Sequence, residues 1–306
     1  MQLSVVVPTL NARDRLARAL DALGARLPDA EVLVVNGPSS DGTSGLVRDH
    51  PAADVLLELP ERNLNASRNA GFAAAHGDVV AFVSHGSVIR EGWFDALDGA
   101  IAGGADVVAG PVHRSVSGGV TTEACEEDDI AGRDVTYFDG GNVAFRREVL
   151  EALDGFDEYL ETGAARDAAH RLAGMEYEVT WTPAFAVLRT DGDDVADRMA
   201  DDSDVPAWGL KYRALGYRLA KNYGLRASVA WRAARHALSD AKDAALRVVG
   251  GDEALSSWVR NGRAVVTNVV AGVEDGLAAR RQDRSPRRNP NGASSRMDRA
   301  MSRYES

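Results

Sequence analysis

The 306-residue chain has a single cysteine, Cys125, so no intrachain disulfide can staple it and no cysteine-based metal cluster can form. Lysine is also scarce: Lys211, Lys221 and Lys242 are the only three, and every other side-chain cation is arginine or histidine. A net charge of −11 excludes a general nucleic-acid binder, which needs a basic surface to displace counterions. No apolar run approaches the roughly 18–20 residues that a membrane-spanning helix requires. The N-terminus lacks the basic region and cleavage site of a secretory leader, so a cytoplasmic setting is expected, with any membrane contact peripheral.

Hydrophobic residues make up 45% of the sequence, enough for a sizeable buried core. Aspartate outnumbers glutamate by 30 to 16. That composition resembles proteins of salt-loving archaea, whose hydrated acidic shells keep them soluble, although a GC-rich genome favours the same residues.

Strand and helix patterns alternate along the first two hundred residues. Leu3 to Val7 is a β-branched run closed by Pro8, followed by helical spacing in Leu16, Ala19, Leu20 and Leu23. Further strands are expected at Glu31 to Val35, Asp54 to Leu59, Val79 to Val83 and Ala105 to Ala109, and helices at Ser44 to Arg48, Asn65 to Ala75, Trp93 to Ile101 and Thr162 to Gly174. Such an order builds a Rossmann-like α/β sheet that binds ligands beyond the carboxyl ends of its strands. Loops 8–11, 36–43 and 84–87 should therefore converge on one crevice. Gly140, Gly141 and Asn142 form a polar turn suited either to substrate contact or to an ordinary change of direction.

Five blocks carry a more specific likeness: VVVPTLN from residue 5, VLVVNGPSSDGT from 32, SRNAGFAAAHGDVVAFV from 67, GGNVAFRREVLEALDGFDE from 140, and the helix ending at Gly174. In this order and spacing, residues 1–190 resemble the inverting family 2 glycosyltransferases of GT-A fold. The resemblance implies transfer of a sugar from a nucleoside diphosphate sugar to a hydroxyl of a glycan or lipid-linked acceptor. A catalytically inactive GT-A protein that binds a sugar nucleotide or a partner transferase is the alternative.

By the same resemblance, Pro8, Thr9, Asn11 and Asn36 border the nucleoside, and Arg68 and Asn69 lie beside the donor. Arg68 is then a diphosphate contact or the partner of a carboxylate such as Asp78. Asp41 caps the helix that follows it. Asp139, Gly141 and Asn142 meet the sugar or acceptor. Where the family carries Asp-x-Asp for a divalent cation, Mn²⁺ or Mg²⁺, this chain has Ser84, His85 and Gly86. His85 is left as a lone metal ligand or a direct phosphate donor, or else the metal site has gone. Where the family carries its Glu-Asp general base, the register that fits the Asp-to-Arg spacing gives Ala164 and Ala165, and a shifted register gives Arg166 and Asp167; Asp167 is the candidate base, with Glu161 as its substitute.

Residues 191–279 change character. An acidic linker is expected over Asp191 to Asp204, then helices over Trp208 to Leu219, Ser228 to Val249 and Glu253 to Leu277; the resemblance implies that they pack on the catalytic domain or lie against a membrane, and a small helical bundle is the other reading. Residues 280–306 are rich in Arg, Ser and Asn, and a disordered tail is expected.

Overall fold

Three consecutive valines after Ser4 make β1 (Leu3–Thr9) a strand buried on both faces, and the period of two assigns its residues to opposite cores. Val5 and Val7 pack with Leu16, Leu20 and Leu23 of α1 (Arg13–Arg26), which recur at helical spacing. Val6 faces the other way, toward α3 (Leu64–Ala74). The computed structural model describes residues 1–116, 119–189, 207–226, 255–296 and 301–305.

The remaining elements of the first half are β2 (Glu31–Asn36), α2 (Thr43–Arg48), β3 (Val55–Glu58), β4 (Val79–Val83), β5 (Ser87–Ile89), α4 (Trp93–Ala102) and β6 (Val107–Ala109). Beyond them come β7 (Val112–Val116), β8 (Gly119–Thr122), β9 (Glu126–Asp129), β10 (Asp134–Tyr137), β11 (Asn142–Arg146), α5 (Arg147–Leu153), α6 (Ala164–Gly174), β12 (Val179–Trp181) and β13 (Val187–Arg189). The main sheet runs β12-β6-β11-β4-β1-β2-β3-β14, where β14 is Ser302–Glu305. Strands β1 to β4 pair in parallel as expected, while β11 enters antiparallel between β4 and β6 and makes the sheet mixed. The glycine turn before Asn142 therefore joins two strands, with α5 only afterwards. Phe82, Phe145 and Phe156 meet edge to face beneath it, with centroids 5.1–6.1 Å apart.

The last third is not a separate unit. Helices α7 (Ala207–Tyr223) and α8 (Leu255–Gln282) pack closely where Gly272 and Gly276 lie against the Arg213 and Tyr217 carbonyls, positions a Cβ would occupy. Tyr212, Tyr217 and Tyr223 of α7 are buried in the same core as Phe156 and Leu172. The helical region expected after residue 190 thus packs on the preceding domain, the aromatic face of α7 completing the α/β core. The expected linker from Asp191 to Asp204 and helix from Ser228 to Val249 lie outside the described residues.

The expectation of a disordered tail is corrected as well. Asn289 is 1% exposed, and its Nδ2 reaches the Leu153, Asp154 and Gly155 carbonyls at 2.9–3.3 Å. Asp154 in turn accepts from the Ser294 amide and hydroxyl, and Arg296 pairs with Glu61 at 2.7 Å. Composition hides this, because the segment is held by polar bonds to backbone groups rather than by apolar burial. Asn289→Ala should cost about 1–3 kcal/mol in urea unfolding, since it strands buried carbonyls at the α5 end.

Candidate functional site

Of the parallel strands, β1 and β4 deliver their carboxyl ends to a cleft of about 340 Å³, which the 36–43 loop does not line. Pro8 of β1 and Ser84 after β4 form its floor, Leu64, Asn65 and Arg68 of α3 one side, and the 139–141 turn another. Glu161 to Arg166, the approach to and first turn of α6, face them, with Tyr137, Trp181 and the β7 to β9 segment completing the wall.

Arg68 is 8% exposed; its Nη1 donates to Asn65 Oδ1 at 2.9 Å, and its guanidinium lies 5.0 Å from the Phe156 ring centre. Gly140 leaves room for that guanidinium, because a Cβ there would lie 2.8 Å from Arg68 Nη2. Gly141 is likewise required, since a Cβ would overlap the Ser84 hydroxyl. Across the cleft, α6 begins at Gly163 in the left-handed region (φ 74°) with no side-chain cap, so its first amides carry the positive end of the helix dipole into the cleft. Arg166 bonds both oxygens of Glu126 at 2.5 and 2.9 Å and sits 4.4 Å over Tyr137. Arg218 of α7 approaches Gly163 from behind; burial and the charge of Arg166 lower its pKa to about 10, which leaves it cationic at neutral pH.

Four carboxylates line the cleft: Glu123, Glu126, Asp139 and Glu161. Asp139 accepts from the Gly141 amide at 2.7 Å and pairs with Arg189 at 3.3 Å. The Glu123 carboxyl is pushed above its ordinary range by burial and by the charge of Asp139. Glu161 is exposed at the mouth of α6.

Several expected site residues are placed elsewhere. Asp167 is fully buried, with Oδ2 2.7 Å from Lys221 Nζ and 2.9 Å from Arg171 Nε, and Oδ1 bonded to Asn222. Burial opposes its charge, but Lys221 and Arg171 outweigh it and lower its pKa. A carboxylate this deep, held by two cations, cannot reach an acceptor hydroxyl, so the expected base role is corrected. Asn69 is also corrected: it is 0% exposed and spends its amide on Phe156 and Glu158. Asn142, 0% exposed, donates to the Gly110 and Phe185 carbonyls and accepts from Trp93, so it locks β11 rather than meeting a ligand.

The nucleoside-side loops are knitted to each other. Asn36, 1% exposed, bonds Ser39 and Ser44; Asn11, at φ 45°, accepts from the Ser40 amide, and its own amide donates to Ser39. Asn36 thus shapes the loop from within. Asp41 accepts from the amide and hydroxyl of Thr43 and from the Arg13 amide, while the N-cap position of α2 itself is Gly42, which offers no side-chain cap. Thr9 Oγ1 is buried beside this junction with no hydrogen-bond partner.

Among the described residues no three His, Cys, Asp or Glu side chains could hold a divalent cation, and of the 84–86 triplet only Ser84 lines the cleft. His85 is 1% exposed and outside it, so its expected ligand role is corrected by burial. Arg166 lies within the helix block but carries no expected binding role, and Arg218, Tyr137 and Glu123 come from positions outside the five blocks.

Comparison with known proteins supplies the remaining observations. Residues 4–154 match the family model described as glycosyl transferase family 2. Polyprenol monophosphomannose synthase of Mycolicibacterium smegmatis is 29% identical over 49% of this chain and 63% of its own length. Pre-mycofactocin glycosyltransferase of Mycobacterium tuberculosis is 27% identical over 57% of this chain and 40% of its own. The chain thus spans less than two thirds of the length of these curated relatives. Among solved structures, residues 1–349 of S. aureus TarS in complex with UDP-GlcNAc superpose with TM-score 0.54 at 19% identity, covering 74% of this chain and 68% of that one. Mannosyltransferase PcManGT from Pyrobaculum calidifontis, in complex with GDP-Man and Mn²⁺, gives 0.53 at 19% identity over 90% and 87%. The likeness establishes the GT-A fold.

Proposed function

We propose that the chain transfers a sugar, with inversion, from a nucleoside diphosphate donor to a hydroxyl of a glycan or lipid-linked acceptor, a reading supported by the match of residues 4–154 to the glycosyl transferase family 2 model. The observation that carries this reading is the cleft itself: Arg68 and the uncapped start of α6 converge there, with Glu161 at the rim. The names of the curated relatives, and the sugar nucleotides bound in the two solved structures, support the same class of donor.

Arg68 and the first α6 amides hold the leaving diphosphate, a fixed positive surface that needs no cation to be recruited. Thr9 and Asn11 border the nucleoside, and Asp139 and Gly141 position the sugar. Glu161 accepts the proton of the attacking hydroxyl as that oxygen bonds the anomeric carbon, and the bond to the diphosphate breaks with its electron pair leaving on phosphate. A cytoplasmic setting and adaptation to high salt draw their support from composition alone.

Glu161→Gln should lower turnover by about 10²–10⁴-fold while leaving donor affinity unchanged. Donor hydrolysis and transfer, each with and without Mn²⁺, and donor affinity by calorimetry, check this. Unchanged turnover would remove Glu161 from the mechanism. A second reading, a sugar-nucleotide binder without turnover, is favoured by Ser84-His85-Gly86 and Ala164-Ala165 standing where the family carries carboxylates. Tight donor binding with no hydrolysis or transfer in either metal condition would establish it instead.

A further inference from the structure

Away from the cleft, α8 presents an apolar stripe that ends in a cluster of arginines. Val266 and Val270 are 65% and 52% exposed. At roughly 100° per residue, Val270, Leu277 and Arg281 all fall within about 60° of Val266 around the helix. Leu277 then lines a groove of about 370 Å³ with Arg280, Arg281, Arg284 and Arg288. The end of α7 reaches the same place: Gly224, at φ 70°, lies against the Arg280 side chain, and the next residue, Leu225, is 78% exposed beside Arg226.

Among the described residues no carboxylate pairs with Arg280, Arg281, Arg284 or Arg288. Arg280 Nη1 donates to the Lys221 and Asn222 carbonyls at 2.9 and 3.0 Å, and Arg288 Nη1 to the Asp283 carbonyl at 3.1 Å. The nearby carboxylates are committed elsewhere: Asp283 to Arg287, Ser285 and the Asn289 amide, and Asp275 to Tyr159 and Arg213. Glu274 is the exposed acid of that helix turn. Burial and the charges of Arg288, Arg133 and Arg226 together lower the Arg280 pKa, which shows how closely like charges are gathered. In a chain of net charge −11, gathering cations around exposed Leu and Val side chains creates a surface complementary to something both anionic and apolar.

We propose that this face docks on a bilayer surface bearing anionic headgroups, with Leu225, Val266 and Val270 entering the interface and Arg226, Arg281 and Arg284 meeting the phosphates. A lone anion would satisfy the arginines but leave the stripe unexplained, and a nucleic acid would do the same. Among the described residues no helix is long and apolar enough to cross a membrane, so the contact is peripheral. It shares no residue with the cleft, and it stands whether or not the chain transfers sugar.

The test uses the full chain in co-sedimentation with vesicles of phosphatidylcholine, with and without phosphatidylglycerol, at low and high salt. Binding is expected only with phosphatidylglycerol, weakened by salt. Arg281→Gln with Arg284→Gln should lower the partition coefficient about thirtyfold, taking the usual contribution of a cation near an anionic surface. Leu225→Ser with Val266→Ser and Val270→Ser should also weaken it, while both variants keep the parent melting temperature, their changes being on the surface. No binding to the anionic vesicles, or binding indifferent to both variants, would overturn the proposal. So would binding to transfer RNA as tight as to vesicles and insensitive to the apolar substitutions, or a dimer in sedimentation velocity that the valine substitutions dissociate.

Discussion

Lys221→Met should destabilise the folded chain by about 3–5 kcal/mol, although residue 221 lies outside the cleft. Its ammonium sits 2.6 Å from Asp157 and 2.7 Å from Asp167, all three side chains fully buried. Methionine fills much the same volume but leaves two carboxylates with Arg171 as the remaining buried cation against Asp167. The penalty is therefore that of an uncompensated charge rather than of a cavity. Acid should expose the same imbalance. Because Asp167 has a lowered pKa when folded, its contribution is complete above the ordinary carboxylate range, near pH 4, and is lost as the pH falls through the lower folded value. In the methionine variant that lowering is largely removed, so acid unfolding should begin at higher pH. Urea unfolding at neutral pH and an acid titration followed by circular dichroism check both; parent-like curves would show that the network contributes nothing net.

Arg68→Ala should reduce kcat/KM by about 10²–10³-fold, the usual loss when one preorganised donor to developing negative charge is removed. The guanidinium is held before any ligand arrives, by Asn65 and over Phe156, so little reorganisation is needed on binding. Arg68→Lys should restore only part of the rate, since an ammonium cannot offer two parallel bonds to phosphate oxygens. Steady-state kinetics on the two variants, beside donor affinity, separates loss of binding from loss of turnover. An unchanged rate in the alanine variant would dissociate Arg68 from the diphosphate.

Much of the sheet was legible because its order rests on local patterns. The valines of β1, the apolar spacing of α1 and the Ala-rich α3 each commit to one period, and three strand ends then share one edge. The site was legible only as a location. Asn69 and Asn142 have the polarity of ligand contacts, yet both are consumed by backbone and side-chain groups from distant segments, and nothing in the local sequence distinguishes the two uses. Asp167 misled for the same reason: its partner Lys221 comes from a helix that the family blocks do not include. The tail was missed because composition measures apolar content, whereas residues 283–296 are anchored by amide and carboxylate bonds.

The pairing of β14 with β3 has a consequence for synthesis. Ser302 bonds beside Glu58, so the strand that covers this edge is made roughly 240 residues after the strand it protects. At about 5–20 residues per second, β3 emerges and waits for tens of seconds with its outer hydrogen-bonding row bare. An unpaired edge of that kind recruits other strands. Slow elongation between residues 60 and 300 should therefore lower soluble yield more than the stability of the finished protein would suggest.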